Sequence, residues 1–144
     1  MADTNTADTV HLQLVSPERM LVEEDVTDLQ IPALDGYIGV LPGGAPLLSE
    51  LKAGGVVTYR AGSKETVLAV YGGFVEVLPD RVRILADSAQ PGEEINTSEA
   101  QKRLDAATKA LTSLGGSEAS DPTVALDESL RAQAAFDAAQ AAKK

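Results

Sequence analysis

The chain's reactive side chains are few, and their spacing argues against catalysis. The single histidine, His11, sits in the alternating stretch His11-Leu12-Gln13-Leu14. A metal site needs several ligands at set spacings, and the chain has no cysteine and no second histidine to supply them. His11 is therefore expected to be structural. Gly62-Ser63-Lys64 has the ending of a phosphate loop. The spaced glycine before it and the strand-to-helix setting are both missing, so it reads as a hairpin turn. Glu23-Glu24-Asp25 and Glu93-Glu94 offer carboxylates, but such acidic runs read as solvated edges rather than acid/base pairs. Asp127 and Arg131 lie four apart in a helical stretch and predict a surface ion pair. With three Tyr, two Phe and no Trp, an aromatic ligand platform is poorly supported. No residue is put forward as catalytic or metal-ligating, no cofactor is implied, and an enzyme is the weakest reading.

The elements that hold these residues fall into two halves. From Val10 to about Asp87 the chain reads as short strands. His11 to Leu14, Val26 to Ile31 and Arg81 to Leu85 alternate polar and apolar, while Val56 to Tyr59 and Thr66 to Tyr71 are β-branched and aromatic-rich. Turn signals recur between them: Ser16-Pro17-Glu18, Asp35-Gly36, Pro42-Gly43-Gly44, Gly54-Gly55, Ala61-Gly62-Ser63, Gly72-Gly73 and Pro79-Asp80. No helical stripe intervenes. The expectation for residues 10–90 is an antiparallel β-sandwich or flattened barrel.

After Pro91-Gly92 the composition turns to Ala, Gln, Lys and Glu, the strong helix formers. Asn96-Thr97-Ser98-Glu99 has the form of a capping box, with Asn96 as N-cap. Ala100, Leu104, Ala107, Leu111 and Leu114 follow at helical spacing, and Gly115-Gly116 supplies a stop. Asp121-Pro122 opens a second helix with Leu126, Leu130, Ala134 and Ala138 along one side. Residues 91–144 thus predict an antiparallel hairpin with helices over about 97–114 and 123–142. Its alanine-rich seam buries little apolar area, which makes the hairpin either a moving part or a static appendage docked on the sandwich.

The net charge of −10 sets the partners that can be excluded. Nucleic acid and anionic lipid surfaces are bound through Lys and Arg, so neither is expected as a primary partner. No apolar run approaches the roughly 20 residues that span a bilayer. Residues 1–9 are polar and acidic, unlike a signal peptide, and are expected to form a frayed tail. The expectation is a soluble protein that reaches a membrane only through another protein, with no direct lipid insertion. The absence of cysteine suits a reducing compartment.

Two loops carry a resemblance. Gly36-Tyr37-Ile38-Gly39-Val40-Leu41-Pro42-Gly43-Gly44-Ala45-Pro46-Leu47 resembles the signature loop of the epsilon subunits of F-type ATP synthases, equivalent to the mitochondrial delta subunit. Gly72 to Asp87 resembles their second signature, and Val15-Ser16-Pro17-Glu18-Arg19 their first turn. Independently of family, Gly36, Gly39 and Gly43 predict positive φ or close backbone approach, while Pro42 and Pro46 stiffen the loop. An apolar loop presenting Val40, Leu41 and Leu47 suits docking on another protein; the alternative is a tight corner with its leucines inward.

The resemblance implies a non-catalytic rotor subunit of the central stalk of a proton-translocating synthase. Its sandwich would bind the coiled-coil gamma subunit and rest on loops of the membrane ring of c subunits, at the cytoplasmic face of a bacterial inner membrane. Partner-binding residues would be Tyr37, Val40, Leu41, Pro42, Pro46 and Leu47. Tyr37 stands where the family often has an acid, and Gly44 where it usually has histidine, so Tyr37 would replace a charge contact to the ring with stacking or a hydroxyl hydrogen bond. Some members bind ATP where this chain has Ile95, Asn96, Glu99 and Ala100; asparagine replaces the family's aspartate and Glu99 its arginine, so ATP binding by that mode is not expected. The second helix of the family can reach the catalytic-head subunits and block hydrolysis. Here it carries only Arg131, Lys143 and Lys144 against Asp127, Glu128 and Asp137, which implies weak restraint. The competing class is a free-standing β-sandwich interaction module with a helical tail.

Overall fold

A computed structural model describes residues 9–112 and 122–142. Ten strands come first: β1 (Val10–Val15), β2 (Met20–Val26), β3 (Asp28–Ala33), β4 (Gly36–Val40), β5 (Leu47–Glu50), β6 (Gly55–Ala61), β7 (Lys64–Val70), β8 (Gly73–Leu78), β9 (Arg81–Ala86) and β10 (Ala89–Pro91). They form two five-stranded sheets, ordered β2-β1-β9-β8-β5 and β10-β7-β6-β3-β4. Pairing is antiparallel except for β1 beside β9.

Period-two alternation builds this sandwich. Val10, Leu12 and Leu14 of β1 face inward, as do Val75 and Val77 of β8 and Val82 and Ile84 of β9. They meet Leu29, Ile31, Val57, Leu68 and Val70 of the second sheet in one core. Each such fully buried side chain contributes roughly 1.5–3 kcal/mol. The stretch from Val26 to Ile31, expected as one strand, is broken at Thr27. There the chain leaves the first sheet and enters the second, with the Thr27 N–H donating to the Arg60 carbonyl at 2.8 Å.

The second half is helical. A 3-10 turn, Gly92–Glu94, leads to α1 (Thr97–Thr112), and α2 spans Pro122–Ala142. Asn96 caps α1, its Oδ1 accepting the Glu99 N–H at 3.0 Å, a contact worth about 1 kcal/mol. Helix α2 lies on the outer face of the second sheet. Ala134, Ala138 and Ala141 pack on Val67, Ala69 and Tyr71, with Val56 and Ile95 beside them. That cover explains why Val67, Leu68, Ala69 and Val70 are buried on both faces of β7. Helix α1 lies chiefly along α2.

The expected Asp127–Arg131 pair is not formed. The clip is Arg103 to Glu128, from α1 to α2, with Nε and Nη2 donating to the two carboxylate oxygens at 2.8 and 3.2 Å. A planar guanidinium fits a carboxylate two-pronged across the seam, which ties the two helices together. Leu126, expected on the seam, is exposed. Leu114, the Gly115-Gly116 stop, Asp121, Lys143 and Lys144 lie outside the described residues.

Candidate docking surfaces

Two neighbouring residues decide how the β4–β5 connection is used. Val40 is 5% exposed and belongs to the core, whereas Leu41 is 65% exposed. The expectation that Val40 projects outward is therefore corrected: strand alternation turns it inward as the last residue of β4, opposite Leu29. Leu41, Pro46 and Leu47 are the outward residues, with Pro42 half-buried. The loop is pinned at Gly43, whose N–H donates to the Pro79 carbonyl at 2.9 Å and whose φ is +82°. Gly36 also has positive φ, but Gly39 does not, and open space surrounds it.

Tyr37 stands apart from these residues. It is the second residue of β4, whereas Leu41 follows the strand's end, so about 13 Å of strand separates them. Its hydroxyl accepts the Val56 N–H at 3.1 Å, and Lys52 Nζ sits 5.8 Å from its ring centroid. The hydroxyl is thus engaged within the chain, and the half-exposed ring with its cation is what remains for a partner.

The outer face of the first sheet carries a surface that sequence reasoning missed. Directly opposed residues form three rows across the strands. The first runs Met20, Val15, Leu85, Phe74 and Glu50, apolar until its last member. The second is Glu23, Gln13, Arg83, Glu76 and Leu48, and the third Asp25, His11, Arg81 and Leu78. Met20, Leu48, Phe74 and Leu85 are all exposed. A shallow cleft of about 330 Å³ opens beside the first row, lined by Val15, Pro17, Phe74 and Leu85 among others. One signal was available: Phe74 shares the alternation phase of Glu76, which places an aromatic ring on the solvent side.

The polar rows are tied together. His11 meets Asp25 at 2.8 Å and Glu23 at 3.1 Å; Gln13 donates to Glu23 at 3.2 Å and accepts from Arg83 at 3.3 Å. The bond to Asp25, then that to Glu23, holds the His11 imidazole above its usual range. Glu23 is held low, first by His11 and then by Gln13. Among the described residues no group of His, Asp and Glu could hold a metal ion.

Ile95, Asn96, Glu99 and Ala100 line a cleft of about 420 Å³ with Gln90, Glu94, Arg103 and Ala135. Asn96 is occupied in capping, Ala100 is buried and Ile95 packs beside β7. The cleft's one cation, Arg103, is engaged by Glu128, while Glu94 and Glu99 stand exposed at its rim. Arg131 of α2 is half-buried beside Gly54. No described helix is long and apolar enough to cross a membrane.

A sandwich with one exposed apolar row and a pinned apolar loop belongs to the class of proteins suited to docking on others through their faces. Residues 9–92 match the family model of the ATP synthase delta/epsilon chain, beta-sandwich domain. The ATP synthase epsilon chain of Solibacter usitatus is 45% identical over 127 residues, covering 88% of this chain and 92% of that one. That of Granulibacter bethesdensis is 38% identical over 129 residues, covering 90% and 96%. Among solved structures, a chain of the Euglena gracilis mitochondrial ATP synthase (OSCP/F1/c-ring) superposes with a TM-score of 0.72 at 26% identity, covering 95% of this chain and 82% of that one. A chain of the Tetrahymena thermophila mitochondrial central stalk/c-ring shares the fold, with a TM-score of 0.55 at 11% identity and coverage of 94% and 96%. This chain belongs to the ATP synthase delta/epsilon family, as an epsilon-type, non-catalytic subunit of the rotary complex.

Proposed function

We propose that the chain is a rotor subunit that clamps the coiled-coil gamma shaft of the synthase onto its membrane ring. The observation that carries this is the row Met20, Val15, Leu85 and Phe74, laid across four strands on the face opposite the hairpin. Half-exposed apolar side chains aligned in this way mark a protein-docking surface, and a shaft helix fits such a shallow row. Leu41, Pro42, Pro46 and Leu47 offer the shaft a second contact at the Pro79 end of the sheet, about 13 Å along β8 from Phe74. Tyr37 with Lys52, set apart by the length of β4, takes the loops of the c subunits. Two separated surfaces serve two partners.

On this reading residues 10–90 are the rotor-binding unit and residues 91–144 the regulatory one, and the protein works peripherally at the cytoplasmic face of a bacterial inner membrane. The hairpin touches the catalytic head only transiently and restrains hydrolysis weakly, because α2 offers Arg131 against Asp127, Glu128 and Asp137. The test is direct. The purified chain, mixed with the gamma subunit of its own synthase, elutes as a one-to-one complex; two separate peaks would end the proposal.

A further inference from the structure

Among the described residues five glycines have positive φ: Gly36, Gly43, Gly62, Gly72 and Gly73. Gly54 and Gly92 do not, so neither backbone position demands glycine. What each demands is space. A Cβ on Gly54 would fall onto the Leu130 carbonyl of α2 and within 2.5 Å of the Arg131 amide. A Cβ on Gly92 would fall onto the Ala138 carbonyl and come within 3.1 Å of the Ala142 methyl. Helix α2 therefore presses its own backbone at two points, against the sandwich at Gly54 and against the 3-10 turn that leaves the sandwich at Gly92. The points lie about 12 Å apart along the helix axis, from Leu130 to Ala138. Between them Ala134 is buried, and small side chains here and on β7 let the surfaces close.

We propose that Gly54 and Gly92 are a two-point clasp that makes the hairpin folded against the second sheet the resting state of this chain. Two contacts far apart on one helix prevent rolling and sliding, and the Arg103–Glu128 clip carries α1 with α2. The strap then lifts as a piece or not at all. The clasp lies on the sheet opposite the stalk-facing row, so it stands or falls independently of the proposed stalk binding.

Hydrogen exchange on the free full-length chain tests this without any partner. In Gly54→Val/Gly92→Val, amides of residues 122–142 exchange about tenfold faster or more, while those of β1, β8 and β9 keep wild-type rates. Gly39→Val, at a glycine with open space around it, leaves α2 unchanged. Three results would overturn the clasp: unchanged α2 exchange in the double variant, equal loosening in Gly39→Val, or loss of protection in the first sheet even with Gly54→Ala/Gly92→Ala. The last would mean that the glycines serve the sandwich and not the strap.

Discussion

Phe74 and Leu85 stand directly opposite each other on β8 and β9, 54% and 50% exposed, on the sheet face away from the hairpin. A cross-strand apolar pair of this kind contributes only about 0.2–1 kcal/mol to the sheet. Its loss should therefore be felt at a partner more than in the fold. Phe74→Ala is expected to weaken gamma binding about tenfold or more, some 1.4 kcal/mol, with little change in Tm. Titration calorimetry beside thermal unfolding checks this, and unchanged affinity would move the stalk contact elsewhere.

The cleft around Asn96 is poorly suited to a nucleotide. An exposed carboxylate about 4 Å from a phosphate charge costs on the order of 1 kcal/mol in water and 4 kcal/mol at an effective dielectric near 20. Glu94 and Glu99 both impose that cost, and Arg103 is held by Glu128. Calorimetry with ATP and magnesium should show no binding in the low-micromolar range. A clear isotherm there would mean that Arg103 leaves Glu128 to meet the phosphates.

The His11 cluster sets a pH window. Its folded-state pKa is raised from 6.5, so its stabilising contacts are fully present below that value and fade as pH climbs through the raised one. Glu23 is lowered from 4.5, so its share is present above that value and fades as pH falls through the lowered one. The two overlap between 4.5 and 6.5. His11→Gln should lower Tm most inside this window and least in alkaline solution. The effect is small, because both groups are exposed and solvent screens them. An equal loss at both ends would assign His11 a packing role instead.

Five strands were legible, β1, β3 and β9 by alternation and β6 and β7 by their β-branched and aromatic residues, and the start of α1 because Asn96 and Glu99 have the right spacing. What the sequence hid depends on pairing over distance. Val40 and Leu41 are both apolar neighbours, and only the last ladder position of β4 sends one inward and the other out. Val26 and Asp28 read as one strand until the bend at Thr27 divides them between sheets. Met20, Val15, Leu85 and Phe74 become one surface only through the register of three strand pairs. Gly54 looked like a turn residue; its use is to admit a helix some 75 positions later.

Removing the hairpin is the natural test of its regulatory role, and the fold says what else that cut would do. Val67, Ala69 and Tyr71 are buried because α2 covers them, and Val56 packs beside them. A chain ending after Pro91 keeps β10 against β7 but exposes that apolar face to water. The truncated sandwich is expected to unfold at a lower temperature and to bind a hydrophobic dye, while gamma affinity stays near wild type, since the stalk row lies on the other sheet. In the assembled synthase, ATP hydrolysis should rise by no more than about threefold, under 1 kcal/mol of barrier. Measured together, the two readouts separate causes. Lost gamma binding in a still-folded truncation would place the stalk contact on the helices, and a large activation would show strong restraint by the hairpin despite its sparse positive charge.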